Sequence, residues 1–274
     1  MDLTYYPGCS LEATARDYDE SIRAVCEALG IRLHELIDWT CCGATSAHVT
    51  SDRLSVLLPA SNLPAAEKAG YDVLAPCPLC FNRLKRAQKP VGSNVLVTDL
   101  NSLLSRNEVL ASIKSAKKAD LSGIKAVCYY GCMANRPPKA LESGDCENPV
   151  GMDRVAEACG VTVIDWSYKT DCCGASFAVS RPDIMTTLVR KLYDRALEAG
   201  AGCILVSCQM CQANLDMYQD RMNRDLGTCY DIPIIYISEI AGMALGLEKP
   251  EGWFKRHLTD PMNFLRSKGV IKAA

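Results

Sequence analysis

The chain has 274 residues, 49% of them hydrophobic and 23% charged, with a formal net charge of −2. That balance describes a globular chain long enough to bury its own core, and with no basic surplus and no block of like charge it argues against a nucleic-acid partner. The longest apolar stretch, Ile232 to Leu247, is broken by Pro233 and Glu239 and falls short of the roughly 20 residues that a membrane-spanning helix needs, which excludes a direct membrane span.

In chain order, Leu3-Thr4-Tyr5-Tyr6 reads as an opening strand with no cleavable leader before it, so the expected compartment is the cytoplasm. Leu11, Ala15, Tyr18, Ile22, Val25 and Leu29 recur at steps of three and four, the period of an amphipathic helix, with Ser10 near its start and Gly30 closing it. Ile31 to Ile37 reads as a second strand. Ser51 to Ala69 reads as a helical stretch interrupted near Pro59 and Pro64, followed by the short strand Asp72 to Ala75 that delivers Cys77. The polar run Ser115 to Asp120 marks a boundary, giving expected domains of residues 1–120 and 121–274. Beyond it, Ile184, Leu188, Leu192 and Ala196 trace a helix before the strand Cys203 to Val206, which delivers Cys208, and Ile232 onward reads as strand then helix. The expected fold class is therefore α/β, with two homologous βαβ-type halves, mainly parallel sheets, and ligands gathered at the carboxyl ends of the strands.

Ten of the sixteen cysteines fall into two copies of one pattern. The first copy is Cys9, Cys41, Cys42, Cys77 and Cys80; the second is Cys132, Cys172, Cys173, Cys208 and Cys211. In both, 34 residues separate the Cys-Cys pair from the Cys-x-x-Cys, so four of the five positions superpose at a constant offset of 131. The lone cysteines sit at an offset of 123, because the second copy carries extra residues around Arg136-Pro137-Pro138 and from Gly144 to Pro149, read as a loop insertion. Tyr6-Pro7-Gly8-Cys9 echoes Tyr129-Tyr130-Gly131-Cys132, and Cys41-Cys42-Gly43-Ala44 echoes Cys172-Cys173-Gly174-Ala175. The chain is an internal repeat.

In a reducing compartment such thiols serve metal or thiol redox chemistry rather than structural disulfides. Zinc needs only four ligands, and an adjacent Cys-Cys pair is awkward for one tetrahedral ion because neighbouring side chains diverge. Five sulfurs suit a larger object touched at several atoms, with Gly43 and Gly174 letting the backbone take positive φ and approach it. An iron–sulfur centre in each half is the expectation, against zinc or a dithiol relay. The ferredoxin run of closely spaced Cys-x-x-Cys-x-x-Cys does not occur.

The doubled pattern resembles the Cys-Cys-Gly domain family, most closely the group formed by the B subunits of heterodisulfide reductases. The Cys208 to Asp216 stretch and the closing His257-Leu258-Thr259-Asp260-Pro261 segment look like that group too. The resemblance implies two non-cubane [4Fe-4S] clusters, each held by all five cysteines of one motif, with a disulfide substrate bound between them. It implies the coenzyme M–coenzyme B heterodisulfide of methanogenesis as substrate type. The partners it implies are a ferredoxin-like C subunit, the flavin-carrying A subunit, and a hydrogenase or formate dehydrogenase that feeds electrons to the complex under anaerobic conditions. Related halves also occur in iron–sulfur subunits of quinone-linked succinate, lactate or glycolate oxidoreductases, and a non-enzymatic zinc scaffold is the third reading.

Cys26, Cys128, Cys146, Cys159, Cys203 and Cys229 have no place in the repeat and read as bystanders, those on helix and strand faces acting as small hydrophobes. His48 follows the first Cys-Cys-Gly closely enough to line a site, and His257 lies in the family-like tail, where it would bind substrate or donate a proton. Lys255 and Arg256 read as a solvated helix end or as contacts to an anionic substrate. Tyr5, Tyr6, Tyr129 and Tyr130 shield the centres from water or pack the core, and Met210 packs a cluster loop. Neither a dinucleotide fingerprint nor a phosphate-cradling loop occurs, so no flavin or nucleotide site is expected on this chain.

Overall fold

The computed structural model describes residues 1–247 and 250–271. Each half of the chain builds one four-stranded sheet in which every pairing is parallel. The first contains β1 (Asp2–Tyr5), β2 (Arg32–Glu35), β3 (Val73–Leu74) and β4 (Val97–Thr98) in the order β2-β1-β3-β4. The second contains β5 (Lys125–Tyr129), β6 (Thr162–Val163), β7 (Cys203–Val206) and β8 (Ile234–Tyr236) in the equivalent order β6-β5-β7-β8. The central strands are buried apolar runs, as covered parallel sheets require; Cys203, Ile204, Leu205 and Val206 are wholly enclosed.

In each sheet the chain leaves the first strand toward one side and later returns to its other side. The crevice at the carboxyl ends of β1 and β3, and of β5 and β7, is thus a topological switch point, where open α/β sheets hold ligands. The expected α/β class and duplicated arrangement are what the chain adopts.

The first half carries α1 (Gly8–Glu12), α2 (Arg16–Ala28), α3 (Ala47–Thr50), α4 (Asp52–Ala60), α5 (Leu63–Ala69), α6 (Pro78–Val91), α7 (Leu100–Leu104) and α8 (Asn107–Ala116). The second carries α9 (Pro138–Leu141), α10 (Gly151–Cys159), α11 (Pro182–Glu198), α12 (Gln209–Met217), α13 (Gln219–Leu226), α14 (Ile237–Ala244), α15 (Pro250–Phe254) and α16 (Pro261–Ser267). The single helix expected from Leu11 to Leu29 is two, broken where Ala15 leaves helical geometry at φ −115° and ψ 47°. The break lets a short helix present Cys9 while Leu11, Ala15, Tyr18, Ile22 and Val25 still form one buried face. The stretch from Ser51 to Ala69 divides between Ala60 and Leu63, where the Asn62 side chain turns back onto the Leu58 and Pro59 carbonyls at 3.3 and 3.4 Å. The expected loop insertion contains a helical turn, α9.

The halves are joined through buried contacts between α2 and α14. The Tyr18 ring stacks on Tyr236 with centroids 4.3 Å apart, and the Tyr18 hydroxyl donates to the Ser207 carbonyl at 2.8 Å. Ser21 and Ser238 hydroxyls meet at 2.7 Å, and Asn101 donates to the Ser207 hydroxyl at 2.7 Å. From α6, Asn82 donates to the carbonyls of Met133 and Arg136, each at 2.8 Å. Because Ser207 immediately precedes Cys208, the bonds to it fix the end of β7 against the first half.

Candidate metal centres

The repeated topology delivers each cysteine in the same way. β3 ends just before Cys77, which caps α6, its sulfur accepting from the Cys80 amide at 3.4 Å. β7 ends just before Cys208, the residue at the start of α12. Helix N-termini favour anionic sulfur, so thiolates are stabilised where they are placed. β1 and β5 lead to Cys9 and Cys132, the former within α1 and the latter in a turn, and the Cys-Cys pairs arrive on loops from the other side of the switch point.

The ten expected sulfurs gather into two groups of five. In the first, Cys9 and Cys41 sulfurs are 3.7 Å apart and Cys42 and Cys80 sulfurs 3.4 Å apart. In the second, Cys173 and Cys211 sulfurs are 3.7 Å apart, and Cys172 accepts from the Gly174 amide at 3.3 Å. Within each group the thiols polarise one another. Cys77 is pulled down to about 7, first by the Cys80 thiol and then by the Cys80 amide and Gln209 against burial. Cys172 is pulled down to about 6, chiefly by the Cys132 thiol, with the Gly174 amide assisting. Their partners Cys80 and Cys132 are pushed up as the donors of those bonds, and Cys211 rises in the same way beside Cys173.

The glycines preceding the lone cysteines are part of the cradle. A Cβ on Gly8 would lie 2.8 Å from the Cys80 sulfur and one on Gly131 would lie 2.9 Å from the Cys211 sulfur, and both residues have positive φ, +72° and +67°. Gly43 and Gly174 also have positive φ, and the space a side chain would take beside them is filled by Leu58 and Ala47, and by Leu188 and Met185. The amides of Gly43 and Gly174 donate to the Cys41 and Cys172 sulfurs at 3.5 and 3.3 Å, and the glycine before each lone cysteine, to which the sequence reading gives no role, completes the sulfur cradle. Its signal in the sequence is that both lone cysteines follow a glycine.

Two further devices hold the cysteine-pair loops. The Tyr6 hydroxyl donates to the Thr40 carbonyl and the Tyr129 hydroxyl to the Asp171 carbonyl, each at 2.6 Å, so each tyrosine grips the residue just before its Cys-Cys pair. On the other side, Asn214 donates to the Cys173 carbonyl at 2.8 Å. The residue at its repeat position is Arg83, which donates to the Ala44 carbonyl at 3.2 Å and to His48 Nδ1 at 2.9 Å. Arg83 is 8% exposed, its Nε has no partner among the described residues, and neither of its bonds goes to a carboxylate.

A cleft of about 510 Å³ lies between the halves. All five sulfurs of the second group belong to residues lining it, with Tyr130, Met133 and Met210 beside them. From the first half come His48, Val49, Leu79 and Arg83, the neighbours of the first group rather than its cysteines. The two groups are bridged by Gln209, whose amide donates to the Cys77 sulfur at 2.8 Å. Five converging thiols per group, one in each strongly acidified, and a glycine cradle sized to a sulfur match iron–sulfur sites better than a four-ligand zinc site.

The remaining residues are placed as follows. His48 is exposed at the cleft. His257 is buried beneath α14, with Nε2 3.0 Å from Glu239, and does not line the cleft. Cys26, Cys128, Cys159 and Cys203 are buried, Cys146 is half-buried and Cys229 exposed. Arg256 pairs with Glu20 at 3.1 Å on the surface, and Lys255 is exposed. Among the described residues no helix is long and apolar enough to cross a membrane.

Comparison with known proteins agrees with this geometry. The family described as "Cysteine-rich domain" (CCG) matches residues 3–85 and 126–216, one match per half. The chain is 27% identical to the 8-methylmenaquinol:fumarate reductase membrane anchor subunit of Wolinella succinogenes, over 94% of this chain and 97% of that one. It is 25% identical to the B subunit of the ferredoxin:CoB-CoM heterodisulfide reductase of Methanosarcina mazei, over 99% and 98%. It is 23% identical to a protein of Archaeoglobus profundus described as like the B subunit of heterodisulfide reductase, over 88% and 89%. Among solved structures, a hypothetical protein from Helicobacter pylori shares the fold with a TM-score of 0.68 at 11% identity, covering 94% of this chain and 52% of that one.

Proposed function

The chain belongs to the cysteine-rich CCG domain family, and from that premise we propose that it is the catalytic subunit of a disulfide-reducing oxidoreductase of the heterodisulfide reductase type. Each proposed domain, residues 1–120 and 121–274, holds one non-cubane [4Fe-4S] cluster on its five cysteines. The observation that carries the reading is the Gln209 to Cys77 bond, which links the first sulfur group to the loop of the second, the group that lines the cleft. Held on those cysteines, two such clusters would supply one electron each, which together with two protons, one from His48 and one from solvent, matches what is needed to split a disulfide into two thiols.

The chain's own residues do the rest. Leu79, Met133 and Met210 give the cleft a half-buried apolar lining for an S–S bond, with Val49 exposed at its rim. Arg83 offers the cleft a guanidinium uncommitted to any carboxylate, a contact for a negatively charged end of the substrate. Because His48 accepts from Arg83 at Nδ1, its proton sits on Nε2, where it serves a departing thiolate at the cleft's edge. The partners are subunits of the C and A types, the latter carrying the flavin, fed by a hydrogenase or formate dehydrogenase in the cytoplasm.

The test is anaerobic turnover of the coenzyme M–coenzyme B heterodisulfide with reduced methyl viologen. Cys41→Ser and Cys172→Ser should each lose one cluster signal and the turnover together. Full turnover after loss of a cluster defeats the reading.

One observation favours a second reading, in which the same two centres pass electrons to or from a quinone in a succinate-, lactate- or glycolate-type oxidoreductase. The Wolinella relative belongs to an 8-methylmenaquinol:fumarate reductase, and the apolar cleft suits a quinone ring. A menaquinone-analogue assay run beside the disulfide assay separates the two. Zinc without iron or acid-labile sulfide would instead favour a scaffold.

A further inference from the structure

Away from the cysteines, three side chains that could hold a metal converge inside the seam between the halves. Asp17 comes from α2 in the first half, Glu239 from α14 in the second, and His257 from the segment after α15. We propose that Asp17, Glu239 and His257 bind a divalent transition-metal ion that clamps the two halves and the carboxyl-terminal tail together.

The geometry is already that of a donor set. His257 Nε2 lies 3.0 Å from Glu239 Oε1 and 3.6 Å from Asp17 Oδ2, and the three donor atoms all fall within 4.8 Å of one another. Donors bound to one ion at about 2.0–2.2 Å stand roughly 3–3.5 Å apart, so little movement is needed. All three residues are buried, at 4%, 0% and 7% exposure.

The charge balance points the same way. Two carboxylates face one imidazole, whose proton, against the cost of burial, the Glu239 charge holds up to about 9 and which a bound metal would displace, and Asp216 adds a third negative charge nearby. A buried excess of negative charge is costly unless a cation offsets it. Arg256, whose charge is felt at Asp17, lies on the surface and is paired with Glu20. Asp17 Oδ1, fully enclosed, has no hydrogen-bond partner among the described residues.

His257 Nδ1 lies 3.5 Å from the Gln212 amide, which also reaches Asp216 at 3.3 Å. Asp216 is in turn held by the Leu258 and Thr259 amides at 2.7 and 2.9 Å. This leaves Nε2 turned to the carboxylates. An oxygen, oxygen and nitrogen set suits Mn²⁺, Fe²⁺ or Zn²⁺ rather than the soft chemistry of the cysteine groups. Its enclosure makes the ion structural.

Manganese is the discriminating probe, because thiolates compete for it poorly. Titrating Mn²⁺ into the anaerobically purified, cluster-loaded chain should remove one equivalent of the free-ion EPR signal and raise the melting temperature. Asp17→Asn and Glu239→Gln should weaken that binding at least tenfold with iron and sulfide unchanged, whereas Cys172→Ser should leave it intact. Should a variant fail to fold, the wild-type chain still decides: its melting temperature must rise with Mn²⁺ or Zn²⁺ and fall again with chelator. A folded wild-type chain that leaves both ions free, or Mn²⁺ binding unaltered in both acid variants, overturns the proposal. No readout depends on turnover, so it stands or falls apart from the disulfide assay.

Discussion

Gln209, the residue after the first cysteine of the second Cys-x-x-Cys, donates its amide to the sulfur of Cys77, the first cysteine of the first Cys-x-x-Cys, at 2.8 Å. A ligand of one proposed centre is thus tuned by a residue rooted in the loop of the other. A hydrogen bond to sulfur stabilises the more negative state, so Gln209→Leu should lower the midpoint potential of the first centre. With about 0.5–1.5 kcal/mol for the bond, the shift is on the order of 20–60 mV. EPR-monitored redox titration measures it, and an unmoved potential would show that the bond is not kept once the centre is loaded.

Gly131→Ala places a methyl 2.9 Å from the Cys211 sulfur, and Gly8→Ala places one 2.8 Å from the Cys80 sulfur, each at positive φ. The backbone strain alone is about 1 kcal/mol, and the collision displaces a sulfur outright. Each variant should keep one centre and lose the other. Iron and acid-labile sulfide per chain should fall to about half.

Arg83→Gln keeps a donor for the Ala44 carbonyl but removes the only arginine lining the cleft among the described residues. Under the disulfide reading, KM for a negatively charged disulfide should rise roughly tenfold, the effect of losing one charge-assisted bond of about 1.5 kcal/mol. A neutral disulfide, such as oxidised 2-mercaptoethanol, should be turned over as before. Equal losses on both substrates would assign Arg83 to the loop alone.

Tyr18→Phe retains the stack on Tyr236 but strips the Ser207 carbonyl of its 2.8 Å partner in a fully buried setting. The expected loss is about 1–3 kcal/mol of unfolding free energy, read as a lower denaturant midpoint at unchanged slope. A change below about 0.5 kcal/mol would mean that water reaches Ser207.

The repeat was legible in sequence because sulfur spacing follows topology: the offset of 131 holds although α3, α4 and α5 span the interval in the first half and α11 spans it in the second, since both stretches lead into the equivalent strand, β3 or β7. The pairing of Tyr6 with Thr40 and Tyr129 with Asp171 was not legible, since the tyrosines keep the lone-cysteine offset and their acceptors the other. Nor was the split at Ala15, because the apolar period runs through the break and only backbone angles reveal it. The exchange of Arg83 for Asn214 can be found by aligning the halves, but its meaning comes from which carbonyl each side chain reaches. The cleft and the Asp17, Glu239 and His257 cluster join residues from opposite halves of the chain and needed the folded molecule.

Asn82 reaches out of its own half to hold two carbonyls of the other. Cutting the chain at the mid-point would therefore not release two small proteins. It would leave dangling amides, a bare tyrosine face and a stranded serine carbonyl on fragments that each lack their complement. Duplication supplied the two copies, and side chains exchanged across the seam now tie each copy to its twin.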